Sequence, residues 1–127
     1  MKIINTENAP AAIGPYVQAI NVNGMLFTSG QIPVNPKTGE IPNNVEAQTQ
    51  QVLDNLKAIL DEASVSVNNI IKMTVFIKNM NDFTLINGVY EKFFLDNNAK
   101  FPARSCVEVA RLPKDVLIEI EAIAVAE

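Results

Sequence analysis

The sequence contains no histidine and only one cysteine, Cys106. Without an imidazole, serine–histidine catalysis is excluded, and no histidine is available to deprotonate Cys106 as a nucleophile. A lone thiol cannot close an internal disulfide, and the usual zinc, copper and iron donor sets shrink to carboxylates alone. No metal or cofactor is expected. There is no cluster of Lys and Arg, and the net charge of −4 argues against affinity gained by neutralising phosphates, so no nucleic-acid partner is expected. No apolar run approaches the roughly 20 residues needed to span a bilayer. The opening MKIINTENAPAAIG has neither the basic start and apolar core of a secretory signal nor the Arg-rich character of a transit peptide. The expectation is a cytoplasmic protein that does not contact membrane. Phosphate-binding loops, dinucleotide-binding glycine patterns, zinc-protease motifs and nucleophile elbows are all missing.

What remains is an ordinary globular composition, 48% hydrophobic and 19% charged over 127 residues, enough for one core without staples. A single domain over 1–127 is predicted. Val17 to Val22 and Met25 to Ser29 are β-prone runs joined by Asn23-Gly24, a pair suited to a type I′ hairpin turn. The following GQIPVNPKTGEIP holds three of the seven prolines and two of the five glycines and reads as irregular loop. Asn43 and Glu46 resemble a capping box, and apolar residues from Val45 to Ala63 recur at helical spacing, predicting a helix over 44–63. Residues 70–77, IIKMTVFI, read as a central strand covered on both faces. A second helix over about 82–97 places Phe83, Ile86, Tyr90, Phe93 and Phe94 on its apolar stripe, with Asn81 or Asp82 as cap. Pro102 bars its continuation. Phe101 to Ala110 and Val116 to Val125 read as two paired strands joined across Leu112-Pro-Lys-Asp115.

The order strand, hairpin, helix, strand, helix, paired strands predicts an α+β fold in which two helices cover one face of a mixed sheet. In the last strand Ile118, Ile120, Ala122 and Ala124 share one face, while Leu117, Ile123 and Val125 share the other with Glu119 and Glu121. Both faces are largely apolar. Leaving the second in water forfeits about 25 cal/mol per Å² of burial, so self-association sheet against sheet is expected unless loops or the N-terminal segment cover it.

Alternation along 101–110 puts Pro102, Arg104, Cys106 and Glu108 on one side and Ala103, Ser105, Val107 and Val109 on the other. If the valines face the helix-packed core, Arg104 and Cys106 face the subunit seam. There a guanidinium could grip a small carboxylic acid through two parallel hydrogen bonds; the alternative is an ion pair with Glu108, Glu119 or Glu121. Glu119 or Glu121, on the adjoining strand, could act as general base near Arg104, or form a solvated strip. Cys106 reads as a packing thiol.

Three stretches, NAPAAIGPYVQAI (8–20), TSGQIPVNPKTGEIP (28–42) and FPARSCVEVARLPKDVLIEIEAIA (101–124), resemble the Rid, or YjgF-type, family. The resemblance spans almost the whole chain. It implies a chorismate-mutase-like fold assembled as a homotrimer with the sheets facing the trimer centre, and three small-acid sites in clefts between subunits. It further implies hydrolysis of reactive 2-imino and enamine acids to 2-oxo acids and ammonia, without metal or cofactor, downstream of pyridoxal-phosphate enzymes acting on threonine or serine. On that resemblance Arg104 binds the substrate carboxylate, Glu119 rather than Glu121 positions or activates water, and the Cys106 backbone contacts ligand. Tyr16, Ser29, Gly30 and Asn87 complete the pocket, Gly30 because a residue without Cβ lets a ligand approach its backbone. By pattern alone Tyr16 is a core aromatic and Asn87 a helix-surface amide. A non-catalytic sensor of 2-oxo acids is the alternative.

Overall fold

A computed structural model describes residues 1–125. Its elements in chain order are β1 (Lys2–Ile4), β2 (Ala19–Val22), β3 (Met25–Thr28), α1 (Val45–Glu62), β4 (Ile70–Ile77), α2 (Phe83–Asp96), β5 (Ala103–Glu108) and β6 (Ile118–Val125). The six strands form one sheet in the order β1-β2-β3-β6-β4-β5, antiparallel except for the β4–β5 pair. No helix among the described residues is long and apolar enough to cross a membrane.

The hairpin forms where Asn23-Gly24 dictates: both residues have positive φ, 51° and 74°, as a type I′ turn requires. Helix α1 starts one residue later than the capping-box pattern implies. Asn44, not Asn43, is the cap, its Oδ1 accepting from the Ala47 N–H at 2.8 Å. Gln48 helps choose between the two asparagines: it must point inward, where its Nε2 donates to the Pro42 carbonyl and its Oε1 accepts from the Leu117 N–H. Helix α2 is preceded by a single 3₁₀ turn over Met80–Asp82, and Asp82 makes no side-chain cap; Asn79 instead accepts from the Asn81 N–H.

Both helices pack on one sheet face, as the apolar periodicity requires. Val52, Leu53, Leu56, Ile59 and Leu60 of α1 and Ile86, Phe93 and Phe94 of α2 are buried against Met73, Val75, Ile77, Ile118, Ile120, Ala122 and Ala124. Each large aliphatic side chain removed from water contributes about 1.5–3 kcal/mol. On the opposite face the register aligns Ile3, Ile20, Phe27 and Ile123 in one row across four strands. Ile3 is 56% and Phe27 42% exposed, so neither loops nor the N-terminal segment cover this apolar face.

Two expectations fail at the C-terminal strands. Strands β5 and β6 do not pair; β4 lies between them, parallel to β5 and antiparallel to β6. Strand β4, apolar at six of its eight positions, gains most from two flanking strands, whereas the half-polar β5 tolerates the edge. The orientation of β5 is also the reverse of that expected. Arg104 and Cys106 are in register with the buried Met73 and Val75 on the helix side, and Val107, 43% exposed, lies on the open side. An edge strand's valine need not mark the core, because α2 above reaches β5 with the Phe83 and Tyr90 rings, which accommodate a guanidinium.

Candidate active site

Chemistry-bearing residues gather in two places. The first is built around Glu119, on the open face of β6. Between β3 and β6 the ladder is interrupted: Thr28 Oγ1, rather than a backbone carbonyl, accepts from the Ala122 N–H, and pairing resumes at Gln31 with Ile120. Ser29 and Gly30 bulge out in the gap. A Cβ on Gly30 would lie 1.9 Å from Glu119 Oε2, so glycine is required for the carboxylate to rest across that backbone. The close approach expected of a ligand is occupied here by Glu119 itself.

A cleft of about 450 Å³ opens beside the carboxylate, lined by Ile13, Tyr16, Ser29, Gly30, Ile32 and Lys114 among others. Tyr16 is half-exposed at this wall rather than in the core. The Ser29 hydroxyl donates to the Val17 carbonyl at 2.5 Å. Burial, and secondarily the charge of Glu121, raises the Glu119 carboxyl above the ordinary glutamate value. Two buried amides brace the cleft. Gln18 bonds the Thr6 backbone and the Pro10 carbonyl, and Asn55 of α1 donates to the Ile32 and Val34 carbonyls at 3.1 and 3.0 Å.

The second place is built around Arg104, on the helix side of β5. Its Nη1 donates to Asn87 Oδ1 at 2.8 Å, and its guanidinium carbon lies 4.8 Å from the Tyr90 ring centre and 5.5 Å from that of Phe83. Phe83, Asn87 and Tyr90 sit at i, i+4 and i+7, one face of α2, so a single helix supplies the whole bed. None of the ion pairs among the described residues includes Arg104, and Glu108 is engaged by the Met80 N–H at 2.8 Å. The alternative of a paired strand arginine therefore does not hold among the described residues. A depression of about 360 Å³ lies beside it, lined by Asn87, Tyr90, Glu91, Phe101, Pro102 and Arg104. Burial pushes the Cys106 thiol up, more than Arg104 lowers it, which keeps it protonated and poorly nucleophilic.

The two groups do not converge within one chain. Arg104 is aligned through Met73 with Ala122, two strands away and three residues from Glu119. Strand spacing and rise put the Cα atoms of Arg104 and Glu119 about 14 Å apart. Their side chains also leave opposite faces of the sheet, so the expected general base near Arg104 on an adjoining strand is absent. The structure thus brings Tyr16, Ser29, Gly30 and Glu119 together, and separately Asn87, Arg104 and Cys106. Sequence reasoning missed Phe83 and Tyr90 as partners of Arg104, reading them as core stripe. It also missed Asn55, whose helical position carries no signal that its amide faces a loop.

Comparison with known proteins settles the kinship of this arrangement. The family model described as endoribonuclease L-PSP matches residues 6–126. The chain belongs to this family. It is 66% identical to the 2-iminobutanoate/2-iminopropanoate deaminase of Escherichia coli K12 over 124 residues, covering 98% of this chain and 97% of that protein. Its fold is that of the E. coli YjgF gene product, with a TM-score of 0.98 and 64% identity over the full length of both chains. E. coli TdcF, solved with bound serine, superposes with a TM-score of 0.98 at 60% identity, again over both full lengths.

Proposed function

We propose that this protein hydrolyses reactive 2-imino acids, 2-iminobutanoate and 2-iminopropanoate, to 2-oxo acids and ammonia, as a reactive intermediate deaminase of the A type. The observation that carries this reading is Arg104: a guanidinium fixed by a neutral amide and two aromatic faces, with no carboxylate paired to it among the described residues. A fixed cation in no ion pair among the described residues, beside an open depression, is a preorganised receptor for a small carboxylate. The 66% identity to an E. coli protein bearing this activity in its name supports the substrate class.

Because the two half-sites leave opposite faces of the sheet, a single small acid reaches both only if a second copy supplies one of them. The uncovered row of Ile3, Ile20, Phe27 and Ile123 gives copies a reason to associate. The assembly is a homotrimer with sheets turned to its centre, in the chorismate-mutase-like manner, with Arg104, Asn87 and the Cys106 backbone from one subunit meeting Tyr16, Ser29, Gly30 and Glu119 of another. All 127 residues form the one domain, and the site of action is the cytoplasm.

The chemistry needs little machinery. Arg104 holds the carboxylate of a protonated imine, whose carbon is already electrophilic. Water adds to that carbon, Glu119 takes the proton water gives up and passes it to nitrogen, and as the carbon–nitrogen bond of the tetrahedral adduct breaks the hydroxyl gives its remaining proton to Glu119, releasing ammonia and the 2-oxo acid. A glutamate with a raised pKa suits a group that must both accept and return a proton. For an enamine, protonation at carbon comes first and regenerates the imine. Orientation of a reaction that also proceeds unaided supplies most of the acceleration. Threonine and serine dehydratases dependent on pyridoxal phosphate release such substrates.

Adding the protein to threonine dehydratase acting on threonine should speed release of 2-oxobutanoate and ammonia. Arg104→Ala should lower that gain by about 30- to 1,000-fold, the consequence of leaving one charge of a desolvated pair alone. Equal acceleration by both proteins would remove the carboxylate handle. The serine bound to TdcF keeps a second reading in view, a sensor that binds amino or oxo acids without turnover, favoured by tight 2-oxobutanoate binding with no acceleration. The endoribonuclease in the family's description fits this chain poorly: it is acidic, lacks histidine and has no basic cluster to hold phosphates.

A further inference from the structure

We infer that Tyr90, seconded by Phe83, is a positioning residue that holds the Arg104 guanidinium in its binding orientation through its ring face. This rests on the reading of Arg104 as carboxylate handle and deepens it. Arginine carries several rotatable bonds, and immobilising it on each binding event weakens affinity. Here the immobilisation is built in. The guanidinium carbon sits 4.8 Å from the Tyr90 ring centre, well inside cation–π range, and 5.5 Å from Phe83, while Asn87 engages a single nitrogen, Nη1.

Tyr90 is itself packed into the core. Only 6% exposed, it is packed on Phe94 with ring centres 4.9 Å apart, and Phe94 in turn meets Phe93 and Phe101 edge-on. The arginine therefore rests on a continuous aromatic wall anchored in the core. The Tyr90 hydroxyl has no hydrogen-bond partner among the described residues, and burial pushes its pKa up to about 12. It stays neutral at physiological pH and does not pair with Arg104. A neutral bed leaves the whole cationic charge for the ligand, which an acidic partner would cancel. The orphan oxygen also makes ring and hydroxyl separable: Tyr90→Phe deletes an unsatisfied group and preserves the face on which the cation lies.

The test measures Kd for 2-oxobutanoate by calorimetry and ammonia release behind threonine dehydratase at saturating flux. Tyr90→Phe should bind within about twofold of the parent, whereas Tyr90→Leu should bind about tenfold more weakly and keep its saturated rate within about threefold. Phe83→Leu, at a half-exposed position that tolerates the change, should weaken binding by a smaller factor. Equal losses for Tyr90→Phe and Tyr90→Leu would assign the effect to the hydroxyl and overturn the inference, as would undiminished affinity in a folded Tyr90→Leu. Should Tyr90→Leu not fold, unchanged affinity in Phe83→Leu overturns it, and weakened affinity there supports it. Arg104→Ala separates the two levels. If it binds like the parent, the handle itself is wrong; if it loses binding while the aromatic variants keep it, only the positioning role falls.

Discussion

Gly30→Ala separates catalysis from stability in one methyl group. The added Cβ would fall 1.9 Å from Glu119 Oε2, 2.8 Å from its Cδ and 3.2 Å from its Cγ. A carbon–oxygen contact at the edge of tolerance is about 3.2 Å, so the carboxylate must retreat by more than about 1 Å. Misplacing a catalytic group by that distance lowers the rate by about 100-fold. Arg104, the carboxylate handle, is untouched, so affinity for 2-oxobutanoate should fall far less than turnover. The backbone at Gly30 is not in the positive-φ region, so alanine is conformationally acceptable and should stabilise the fold by about 0.4–1 kcal/mol through the unfolded chain, provided Glu119 swings aside freely. The dehydratase-coupled assay should show the loss of turnover while thermal unfolding shows an equal or higher Tm. An alanine variant turning over within about twofold of the parent, with Glu119 displaced in its crystal structure, would refute the claim that this carboxylate must lie across Gly30.

Glu119→Gln should abolish acceleration and also stabilise the protein near neutral pH. Because the folded-state pKa of Glu119 is raised, the folded state binds its proton more tightly than the unfolded chain, and the ionised form costs stability above that pKa. The advantage of glutamine should therefore shrink as pH falls through the raised value and vanish below the ordinary 4.5, as pH-dependent denaturant melts would record. Asn55→Leu leaves the Ile32 and Val34 carbonyls without their buried donor, which should cost about 1–3 kcal/mol. Amide exchange should quicken across 29–34, and turnover should fall with the loosened wall.

Local pattern carried the elements because each rests on nearest-neighbour chemistry. Asn23-Gly24 suffices for its turn, and β4 announces an interior place between two strands through six apolar positions of eight, though only its helix-side face is covered by the described residues and Ile71 on the other is 44% exposed. The candidate site was legible mostly through resemblance to relatives. Periodicity could say that Arg104 and Cys106 share a side of β5 but not which side, since one slip of register or one exposed valine reverses the assignment. The partition of Phe83, Asn87 and Tyr90 between packing and function was equally hidden, because an aromatic stripe serves a core and a guanidinium with the same spacing.

The amino-acid order by itself determined composition-level exclusions, the period of every helix and strand, and the alternation that gives β6 one wholly apolar face and one that mixes Ile123 and Val125 with Glu119 and Glu121. Only the tertiary structure decided that β4 separates β5 from β6, that Arg104 lies under α2, and that Glu119 emerges on the other face. The physical reason is that neighbours across a sheet are chosen by the total surface they bury together, a sum over distant segments, whereas spacing along one segment records only that segment's own alternation.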